Sequence, residues 1–370
     1  MMQADFFKGL KVVELASVLA GPSVGLFFAE LGAEVLKVEN KTTGGDVTRR
    51  WKLPGEPSDS LFSAYYASVN YGKTSILLDL SLEEERAEVL RLSADADVLI
   101  SNFRAASAHR LGLDYRALAQ LNPRLIYAQV NGFGALDARP AFDVVLQAEA
   151  GFLYMNGEDG RPPVKMPVAL IDLLAAHQLK EGILLALLRR QSTGKGSLVE
   201  TSLLEAALAS LANQSTNWLM GGVIPERMGT LHPNIAPYGE LFRCRDGKEI
   251  VLAVGTESQF RALCGLLGRP EWAEDARFSV NSARVTHRST LNELLSTALE
   301  DWNSVELAQA CHREDIPVGI VRNMKEVFEN PIARAMIQHW NLPDGTPAQS
   351  VRSVAFRLLD MPVSGPDLEV

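Results

Sequence analysis

The chain has 370 residues, of which 47% are hydrophobic and 22% charged, and this ordinary globular composition excludes a disordered or low-complexity chain. The formal net charge of -9 argues against a general nucleic-acid-binding surface. A chain of this length exceeds what one hydrophobic core usually serves, so two domains are expected.

The three cysteines, Cys244, Cys264 and Cys311, are widely spaced and form no C-x-x-C pair. This spacing favours buried free thiols in a reducing compartment over disulfides or a zinc site. The N-terminus lacks a basic stretch followed by an apolar segment, and no later window is apolar enough to span a bilayer. We therefore expect a cytoplasmic enzyme or binding protein without a metal and without a membrane segment.

The first predicted unit is β-α-β, with strands at 11–15 and 34–38 and a helix at 23–31 that ends before Gly32. Such a unit raises the alternative of a nicotinamide cofactor, but the connecting loop contains one glycine, Gly21, where the dinucleotide motif needs three. Gly72-Lys73-Thr74 copies the end of a P-loop, yet Ala67 stands where that motif requires its first glycine. Neither nucleotide motif is complete.

Further strands are predicted at 96–101, 125–130 and 197–201, alternating with helices. This alternation predicts an α/β fold with a doubly wound, Rossmann-like parallel sheet. We expect a large domain at 1–220, a linker at 221–231 and a smaller α+β domain at 232–330 that begins with a hairpin around Arg245-Asp246-Gly247-Lys248. Residues 331–370 are expected to return to the large domain. Among the predicted helices, one opens with a capping box at Ser81-Leu82-Glu83-Glu84, one runs from Leu203 to about Leu219, and one is capped at Thr290-Leu291-Asn292-Glu293.

An acid, Asp172, stands where a strand-like apolar run, 168–171, gives way to a predicted helix that continues to Arg190. The local pattern by itself favours a helix N-cap or first-turn role for this carboxylate. Asn102, Phe103 and Arg104 follow a predicted strand, where ligand-facing residues are common in open α/β sheets. An asparagine turn with the phenylalanine in the core fits the same residues.

Taken together, short segments along nearly the whole chain resemble the family III coenzyme A transferases, which include formyl-CoA and carnitine CoA-transferases and also α-methylacyl-CoA racemases. The resemblance rests on many segments in family order, among them Leu19-Ala20-Gly21-Pro22, Gly45-Asp46-Val47-Thr48-Arg49, Ser101-Asn102-Phe103, Arg110-Leu111-Gly112-Leu113, Gly132-Phe133-Gly134, the Asp172 stretch, Thr193-Gly194-Lys195-Gly196 and Pro233-Asn234-Ile235-Ala236-Pro237.

The resemblance implies that Asp172 is a nucleophile that attacks an acyl-CoA thioester and passes through aspartyl anhydride and aspartyl-CoA thioester intermediates. A helix N-terminus would favour the anion that such chemistry needs. Oxyanion donors are expected from the glycine-rich segment Gly151–Gly160. CoA and acyl-CoA are then substrates, and no tightly bound cofactor is expected.

The resemblance also implies which residues hold CoA. Because CoA carries a 3′-phosphate and a pyrophosphate, its site requires cations even on an acidic protein. The positions that match the family's CoA contacts, with two further basic residues as helpers, are Lys73, Asn102, Phe103, Arg110, Lys37 and Arg49.

Several positions depart from subgroups of the family. Ser17 and Leu19 stand where the formyl-CoA transferase pattern has histidine and glutamine, and Phe142 stands where the racemase branch has its acid/base histidine. The sequence therefore favours a transferase over a racemase, and a non-catalytic acyl-CoA-binding protein remains a third alternative. His177 and His232 have no role that the sequence assigns.

Two expectations concern assembly and the acceptor. The resemblance implies an interlocked homodimer, and it implies that the loop from His232 to Tyr238 contributes to recognition of a carboxylic acid acceptor whose identity the sequence leaves open. The chain ends at Asp367-Leu368-Glu369-Val370, short of the family's usual C-terminal helix.

Overall fold

A computed structural model describes residues 5–358. Residues 359–370, the last part of the segment expected to return to the large domain, lie outside the described residues. The described chain divides into two compact units. The first contains residues up to Ala150, Met166–Thr216 and the part from Ala335 onward, and the second contains Gly151–Lys165 and Asn217–Arg334. Residues 151–165, which the sequence pattern assigns to the large domain, therefore group with the second unit.

Strands and helices alternate along most of the described chain. In chain order the strands are β1 Lys11–Leu15, β2 Glu34–Asn40, β3 Lys73–Leu78, β4 Val98–Ser101, β5 Ile126–Asn131, β6 Ser197–Ser202, β7 Tyr238–Arg243, β8 Glu249–Ala253, β9 Val318–Ile320, β10 Ile337–Asn341 and β11 Pro347–Val351. The helices are α1 Ala20–Glu30, α2 Ala64–Ala67, α3 Glu83–Ala94, α4 Ala105–Leu111, α5 Tyr115–Leu121, α6 Asp143–Glu149, α7 Phe152–Met155, α8 Leu170–Thr193, α9 Leu203–Ala209, α10 Asn213–Gly221, α11 Glu257–Leu266, α12 Asn281–Thr286, α13 Arg288–Leu299, α14 Ser304–Arg313, α15 Met324–Val327 and α16 Pro331–Ala335.

The first unit is built on a six-stranded sheet with the order β3-β2-β1-β4-β5-β6. All its pairings are parallel, and β1 lies in the centre, with Val12 paired to Val35 of β2 on one side and to Val98 of β4 on the other. Strands β2 and β3 are added on one side of β1, and β4, β5 and β6 are added on the other side. This strand order is that of a Rossmann fold. The predicted α/β doubly wound sheet is confirmed.

Helices cover both faces of this sheet. Val89 of α3 and Leu118 of α5 pack in one buried cluster with Leu99 of β4. Gly21 of α1 faces Ile100, the next residue of β4, so α1 lies on the opposite face, because neighbouring residues of a strand point to opposite sides. Helix α8 packs against α1 and against β5 and β6.

Two predicted helices before β7 differ from the observed ones. The Ser81-Leu82-Glu83-Glu84 capping box does not form, since α3 has Leu82 at its N-cap without a side-chain hydrogen bond and the Ser81 hydroxyl donates instead to Asp79. The single helix expected from Leu203 to Leu219 is two helices, α9 and α10. Ala212, between them, has a φ of 48°, which a continuous right-handed helix cannot accommodate.

The second unit contains an antiparallel sheet, β7-β8-β9, with helices α11 to α14 around it. The hairpin expected at Arg245-Asp246-Gly247-Lys248 is present between β7 and β8. The core of the second unit is one apolar cluster that includes Ile250, Leu263, Leu295 and Cys311, all fully buried. The helix start predicted at Thr290 is wrong, because α13 begins at Arg288.

Candidate active site

The carboxyl ends of β1 to β5 meet at one edge of the parallel sheet, and the loops that follow them enclose two cavities. In open α/β sheets this edge, at the point where the strand order reverses, is the usual ligand site. One cavity of ≈ 900 Å³ is lined by the loops after β1, β4 and β5 and by Asp172 of α8. The other, of ≈ 830 Å³, is lined by the ends of β2 and β3 and by Arg110 of α4.

The two cavities adjoin each other. Ser17, Phe103 and Ser107 line both of them. We call them the Asp172 cavity and the Arg110 cavity. Each is within the size range of small-molecule sites, and together they form an extended crevice along the sheet edge that suits a long ligand.

Asp172 is the third residue of α8, and its carboxylate is not used to cap the helix. The N-cap is Ala169, without a side-chain hydrogen bond. Asp172 is 7% exposed, and its side chain makes no hydrogen bond or ion pair with any residue of the described range 5–358. The first-turn position is confirmed, whereas the N-cap role that the local pattern favours is wrong. A buried carboxylate that satisfies no neighbour is available to react with a ligand.

The environment of Asp172 disfavours its charged form. Burial, and after it the negative charge of Asp143, raises the pKa of Asp172 to about 7. Asp143 lies at the start of α6, and the Gln147 amide donates hydrogen bonds of 2.8 and 3.0 Å to its two oxygens. The expected preference of a helix N-terminus for the anion is thus outweighed, and Asp172 holds its proton to higher pH than an ordinary aspartate.

Tyr65 also lies within the field of these acids. Burial, followed by the charges of Asp172 and Asp143, raises the pKa of Tyr65, so its phenol stays protonated at neutral pH. Its ring meets Trp51 edge to face at 5.1 Å. Neither aromatic residue is among those predicted from the sequence.

The residue that precedes Asp143 has no proton to exchange. Phe142 is 54% exposed and lines the Asp172 cavity. His177, although it follows Asp172 on α8, is exposed and lines neither cavity. His232 belongs to the second unit, where its Nδ1 accepts the N–H of Asn234. The segments Gly151–Gly160 and His232–Tyr238 likewise belong to the second unit.

Three of the six expected CoA contacts line the crevice. Asn102 and Phe103 line the Asp172 cavity, and Phe103 and Arg110 line the Arg110 cavity. The Asn102 amide also holds the loop after β1, since it accepts the Ser17 N–H at 3.3 Å and donates to the Ser17 carbonyl at 3.0 Å. These three predicted residues therefore lie together at one edge of the sheet.

The other three expected CoA contacts are tied to buried carboxylates and line neither cavity. Lys37 and Lys73 have side chains 1% exposed, and each makes a 2.8 Å ion pair with Glu14. Arg49 makes a 2.6 Å ion pair with Glu39. Burial opposes the charged form of Glu39, but hydrogen bonds from Arg49 and other donors hold its pKa at about 2. The structure therefore does not present these three cations to a phosphate.

Two other arginines line the Asp172 cavity. Arg104 follows Phe103 at the start of α4, and Arg139 lies with its guanidinium 3.8 Å from the centre of the Phe133 ring. Arg139 also pairs with Asp137 at 2.9 Å. The sequence marks Arg104, together with Asn102 and Phe103, as a residue at a strand end where ligands commonly bind, whereas nothing local marks Arg139.

Within residues 5–358 no group of three or more acidic, histidine or cysteine side chains could hold a metal ion. In the same range, no helix has the length and apolar content needed to cross a membrane. The three cysteines are free and buried.

Known proteins resemble this chain along most of its length. The family model of CoA-transferase family III matches residues 7–366. A succinate–glutarate CoA-transferase from Agrobacterium fabrum is 40% identical over 93% of this chain and 88% of its own. An acetyl-CoA:oxalate CoA-transferase from Acetobacter aceti is 36% identical over 88% of this chain and 83% of its own.

A solved structure has the same fold. A CAIB/BAIF family protein from Brucella suis superposes with a TM-score of 0.83 at 38% identity, covering 96% of this chain and 93% of its own. The sheet order, the cavities at its carboxyl edge and the relatives agree with the resemblance seen in the sequence. The chain belongs to CoA-transferase family III and is an enzyme that uses CoA thioesters as substrates.

Proposed function

We propose that this enzyme transfers CoA from a short acyl-CoA to a carboxylic acid acceptor, with Asp172 as the covalent nucleophile. The observation that carries the proposal is the position of Asp172. It is a buried carboxylate on the wall of a cavity at the sheet edge, with no hydrogen bond or ion pair to any residue between 5 and 358. Binding alone gives no reason to keep such a group unsatisfied, whereas a nucleophile must be free to attack.

The reaction balances without a redox step or a net proton. The Asp172 carboxylate attacks the thioester carbonyl, and CoA leaves as the thiolate, which gives an aspartyl–acyl anhydride. The thiolate attacks the aspartyl carbonyl, releases the donor acid and leaves an aspartyl-CoA thioester. The acceptor carboxylate then attacks this thioester, and the thiolate returns to the acceptor's carbonyl in the second anhydride, which restores Asp172.

The surroundings of Asp172 suit both halves of this cycle. A dehydrated carboxylate is a stronger nucleophile than a hydrated one, because no solvent shell has to be removed before attack. With a pKa of about 7, a substantial fraction is anionic at neutral pH. The tetrahedral intermediates of the cycle also need N–H donors for their oxyanions.

The crevice suggests how CoA lies. We place the adenosine phosphates in the Arg110 cavity, where Arg86 and Arg110 both line the wall, and the pantetheine arm past Phe103 towards Asp172. Arg104, which lines the Asp172 cavity and follows Phe103 in the chain, replaces the buried lysines as a cation of this proposal. The acidic net charge of the chain is compatible with this local cluster of guanidinium groups.

The acceptor that we propose is a short dicarboxylate. Relatives are described as transferring CoA with succinate and glutarate or with oxalate. In this chain Arg104 and Arg139 line the cavity that contains Asp172, and a guanidinium can hold the second carboxylate of such an acid in a bidentate pair.

The racemase alternative requires a second proton-transferring group across the substrate from Asp172. The corresponding wall position is Phe142, which has none. If the chain were a racemase, deuterium from solvent would enter the α-position of a 2-methylacyl-CoA. We expect no such exchange.

The covalent step can be tested directly. The protein is incubated with succinyl-CoA and hydroxylamine, and peptides are examined by mass spectrometry for a hydroxamate. We expect it on Asp172 in the parent protein, none in Asp172→Asn, and an undiminished adduct in Asp137→Asn, which changes another carboxylate of the same cavity. Absence of an adduct with succinyl-, glutaryl-, acetyl- and oxalyl-CoA would refute the transferase mechanism. Stoichiometric CoA binding without adduct would favour a binding protein.

We further propose a cytoplasmic homodimer without a tightly bound cofactor. The three buried free cysteines suit a reducing compartment. Sedimentation velocity at micromolar concentration tests the assembly, and a single monomeric species would refute the dimer.

A further inference from the structure

The loop between β1 and α1 has a strained backbone on the wall of the Asp172 cavity. Val18 has a φ of 73°, in the left-handed region. A β-branched residue is a genuine outlier there, since its Cβ substituents crowd the backbone. Ser17, Val18 and Leu19 all line the cavity that contains Asp172. Strain of this kind persists only where surrounding contacts impose it.

Backbone contacts at three successive residues impose this conformation. The Lys37 ammonium donates to the Ala16 carbonyl at 2.8 Å. Asn102 bonds to both the N–H and the carbonyl of Ser17. The Val18 N–H donates to a carboxylate oxygen of Asp46 at 3.1 Å.

Asp46 is one end of a buried chain of alternating charges. Its carboxylate pairs with Lys37 at 3.1 Å, Lys37 pairs with Glu14 at 2.8 Å, and Glu14 pairs with Lys73 at 2.8 Å. Each of these four side chains is at most 1% exposed. Lys73 donates in turn to the Pro22 carbonyl at 2.8 Å, in the first turn of α1. The chain of charges therefore contacts the backbone on both sides of the strained loop.

Stability alone is a poor explanation for this arrangement. Removing four charges from water is expensive, and well-packed hydrophobic residues commonly stabilise a core as well or better. A strained residue beside a reactive group gives a different reason. Val18 also packs against a buried apolar cluster that contains Leu19, and Ala169 and Leu173, on either side of Asp172 in the chain, pack against the same cluster.

We propose that Asp46 and Lys37 are positioning residues for the transfer reaction, which hold Val18 left-handed so that the Ser17–Leu19 wall aligns the acyl group with the Asp172 carboxylate. The inference rests on the proposed transferase function. It also assigns to Lys37 a role other than phosphate binding. Loss of this clamp, meaning the contacts of Asp46 and Lys37 with the loop, should lower kcat, because alignment is lost. KM for the acyl-CoA should change less, because Asp46→Asn keeps the size of this side chain in the wall of the Arg110 cavity and leaves Arg86 and Arg110 in place.

A double-mutant cycle tests the clamp. Val18→Ala and Val18→Gly both remove the packed side chain, but only glycine adopts the left-handed region freely. Each is combined with Asp46→Asn, which keeps the size and capping ability of Asp46 but places an amide N–H₂ against the Lys37 and Val18 donors. In the alanine background we expect Asp46→Asn to lower kcat about 5–30-fold, the factor that corresponds to the left-handed penalty. In the glycine background the loss should be at most about threefold by the same reasoning.

A control separates positioning from general destabilisation. Asp114→Ala removes a helix N-cap from α5, where the Asp114 carboxylate accepts the Ala117 N–H at 2.9 Å and lines neither cavity. We expect it to lower the melting temperature and leave kcat unchanged. Equal losses of kcat on Asp46→Asn in the two backgrounds, or no loss in either, would overturn the clamp.

Two further measurements keep the inference testable. If Asp46→Asn does not fold, the melting temperatures of the single variants decide, since Val18→Gly should melt about 2–4 °C above Val18→Ala if the loop is strained. Equal or reversed melting temperatures would overturn the inference. Hydroxamate trapping on the parent protein distinguishes a failure of the clamp from a failure of the proposed transferase function. An adduct on Asp172 with a failed cycle refutes only the clamp, whereas absence of the adduct refutes the transferase function and the clamp with it.

Discussion

At the scale of single residues, the pair Asp143 and Asp172 decides the pH dependence. Burial and the Asp143 charge raise the pKa of Asp172 to about 7, and only the anion attacks a thioester. We therefore predict that kcat/KM for the acyl-CoA, which reports groups of the free enzyme, rises with pH and levels off above about 7.

Removal of the negative charge of Asp143 should shift the acidic limb of the pH profile of kcat/KM, the range in which kcat/KM rises with pH. In Asp143→Asn the like charge is gone, so the pKa of Asp172 falls and the limb of the kcat/KM profile shifts to lower pH. Glu181→Gln is the matched control, because Glu181 is an exposed acid on the same helix α8. A limb that stays in place in Asp143→Asn, or that moves equally in Glu181→Gln, would contradict the assignment.

The same pKa makes Asp172 a cost to stability at high pH. Its folded-state pKa of about 7 exceeds the ordinary aspartate value of 3.8, so the folded state binds the proton more tightly, and stability falls as pH rises from about 4 to about 7. A rise of this size corresponds to at most about 4 kcal/mol, and partial relaxation reduces it to roughly 1–4 kcal/mol. Asp172→Asn should therefore be inactive yet more stable than the parent protein at pH 8, with little difference at pH 4.

Melting temperatures at the two pH values measure this effect. Asp137→Asn is the control, because hydrogen bonds from Arg139 lower the pKa of that partly exposed carboxyl, so its removal should not raise stability at pH 8. Equal melting temperatures of the parent protein and Asp172→Asn at pH 8 would show that burial does not penalise the Asp172 anion.

At the scale of elements, α1 approaches β1 closely enough to cover the buried charges only because it carries glycine. A Cβ on Gly25 would lie 1.9 Å from a carboxylate oxygen of Glu14 and 3.2 Å from the Lys73 ammonium. Gly25→Ala should therefore break the Glu14–Lys73 pair or displace the helix, at a cost of about 3–5 kcal/mol for a broken buried pair.

Gly265→Ala in α11 is the matched control for Gly25→Ala. This glycine is also helical, and nothing lies within 4 Å of an added Cβ, so the change should be neutral or stabilise by about 0.5–1 kcal/mol. Denaturant unfolding of the two variants checks the contrast. Similar free energies of unfolding for the two variants would mean that the Glu14–Lys73 pair can be displaced without loss of stability.

The strands and the crevice could be predicted from the sequence, whereas the partners of the charges could not. Strand–helix alternation and the rule for strand ends located Asn102, Phe103 and Arg104 at one edge, and the family resemblance added Arg110. Lys37 and Lys73 also looked like ligands for phosphate, but they meet Glu14, which is 23 and 59 residues away along the chain. Local patterns contain no information about such distant pairing, nor about the left-handed Ala212 that divides the expected helix after Leu203.

The local sequence pattern was also insufficient to predict the role of Asp172. Its local pattern predicts a capping carboxylate, and only the resemblance spread over the chain assigned it a nucleophilic role. The structure adds what neither could provide, namely that the side chain is buried on a cavity wall beside a second acid. The raised pKa follows from this burial and from Asp143, 29 residues earlier, which the helix pattern around Asp172 cannot reveal.

At the scale of the whole molecule, the two units differ in how the chain builds them. The first unit is assembled from three separate segments, whereas most of the second is the continuous stretch Asn217–Arg334. The apolar cluster of the second unit, from Phe242 to Ile320, lies entirely inside that stretch. We therefore predict that residues 217–334 expressed alone fold and unfold cooperatively, although Arg227 loses its contact with the Tyr154 carbonyl.

Near-ultraviolet circular dichroism during thermal unfolding tests the isolated fragment, because Trp272 and Trp302 pack against its core cluster. Ile250→Asp, which buries a charge at a fully buried position, should abolish the signal and the transition. Val305→Asp should preserve both, because Val305 is 51% exposed in the first turn of α14, where an acid is favourable. A fragment without a cooperative transition, or one that responds equally to the two substitutions, would show that the core of the second unit depends on the rest of the chain.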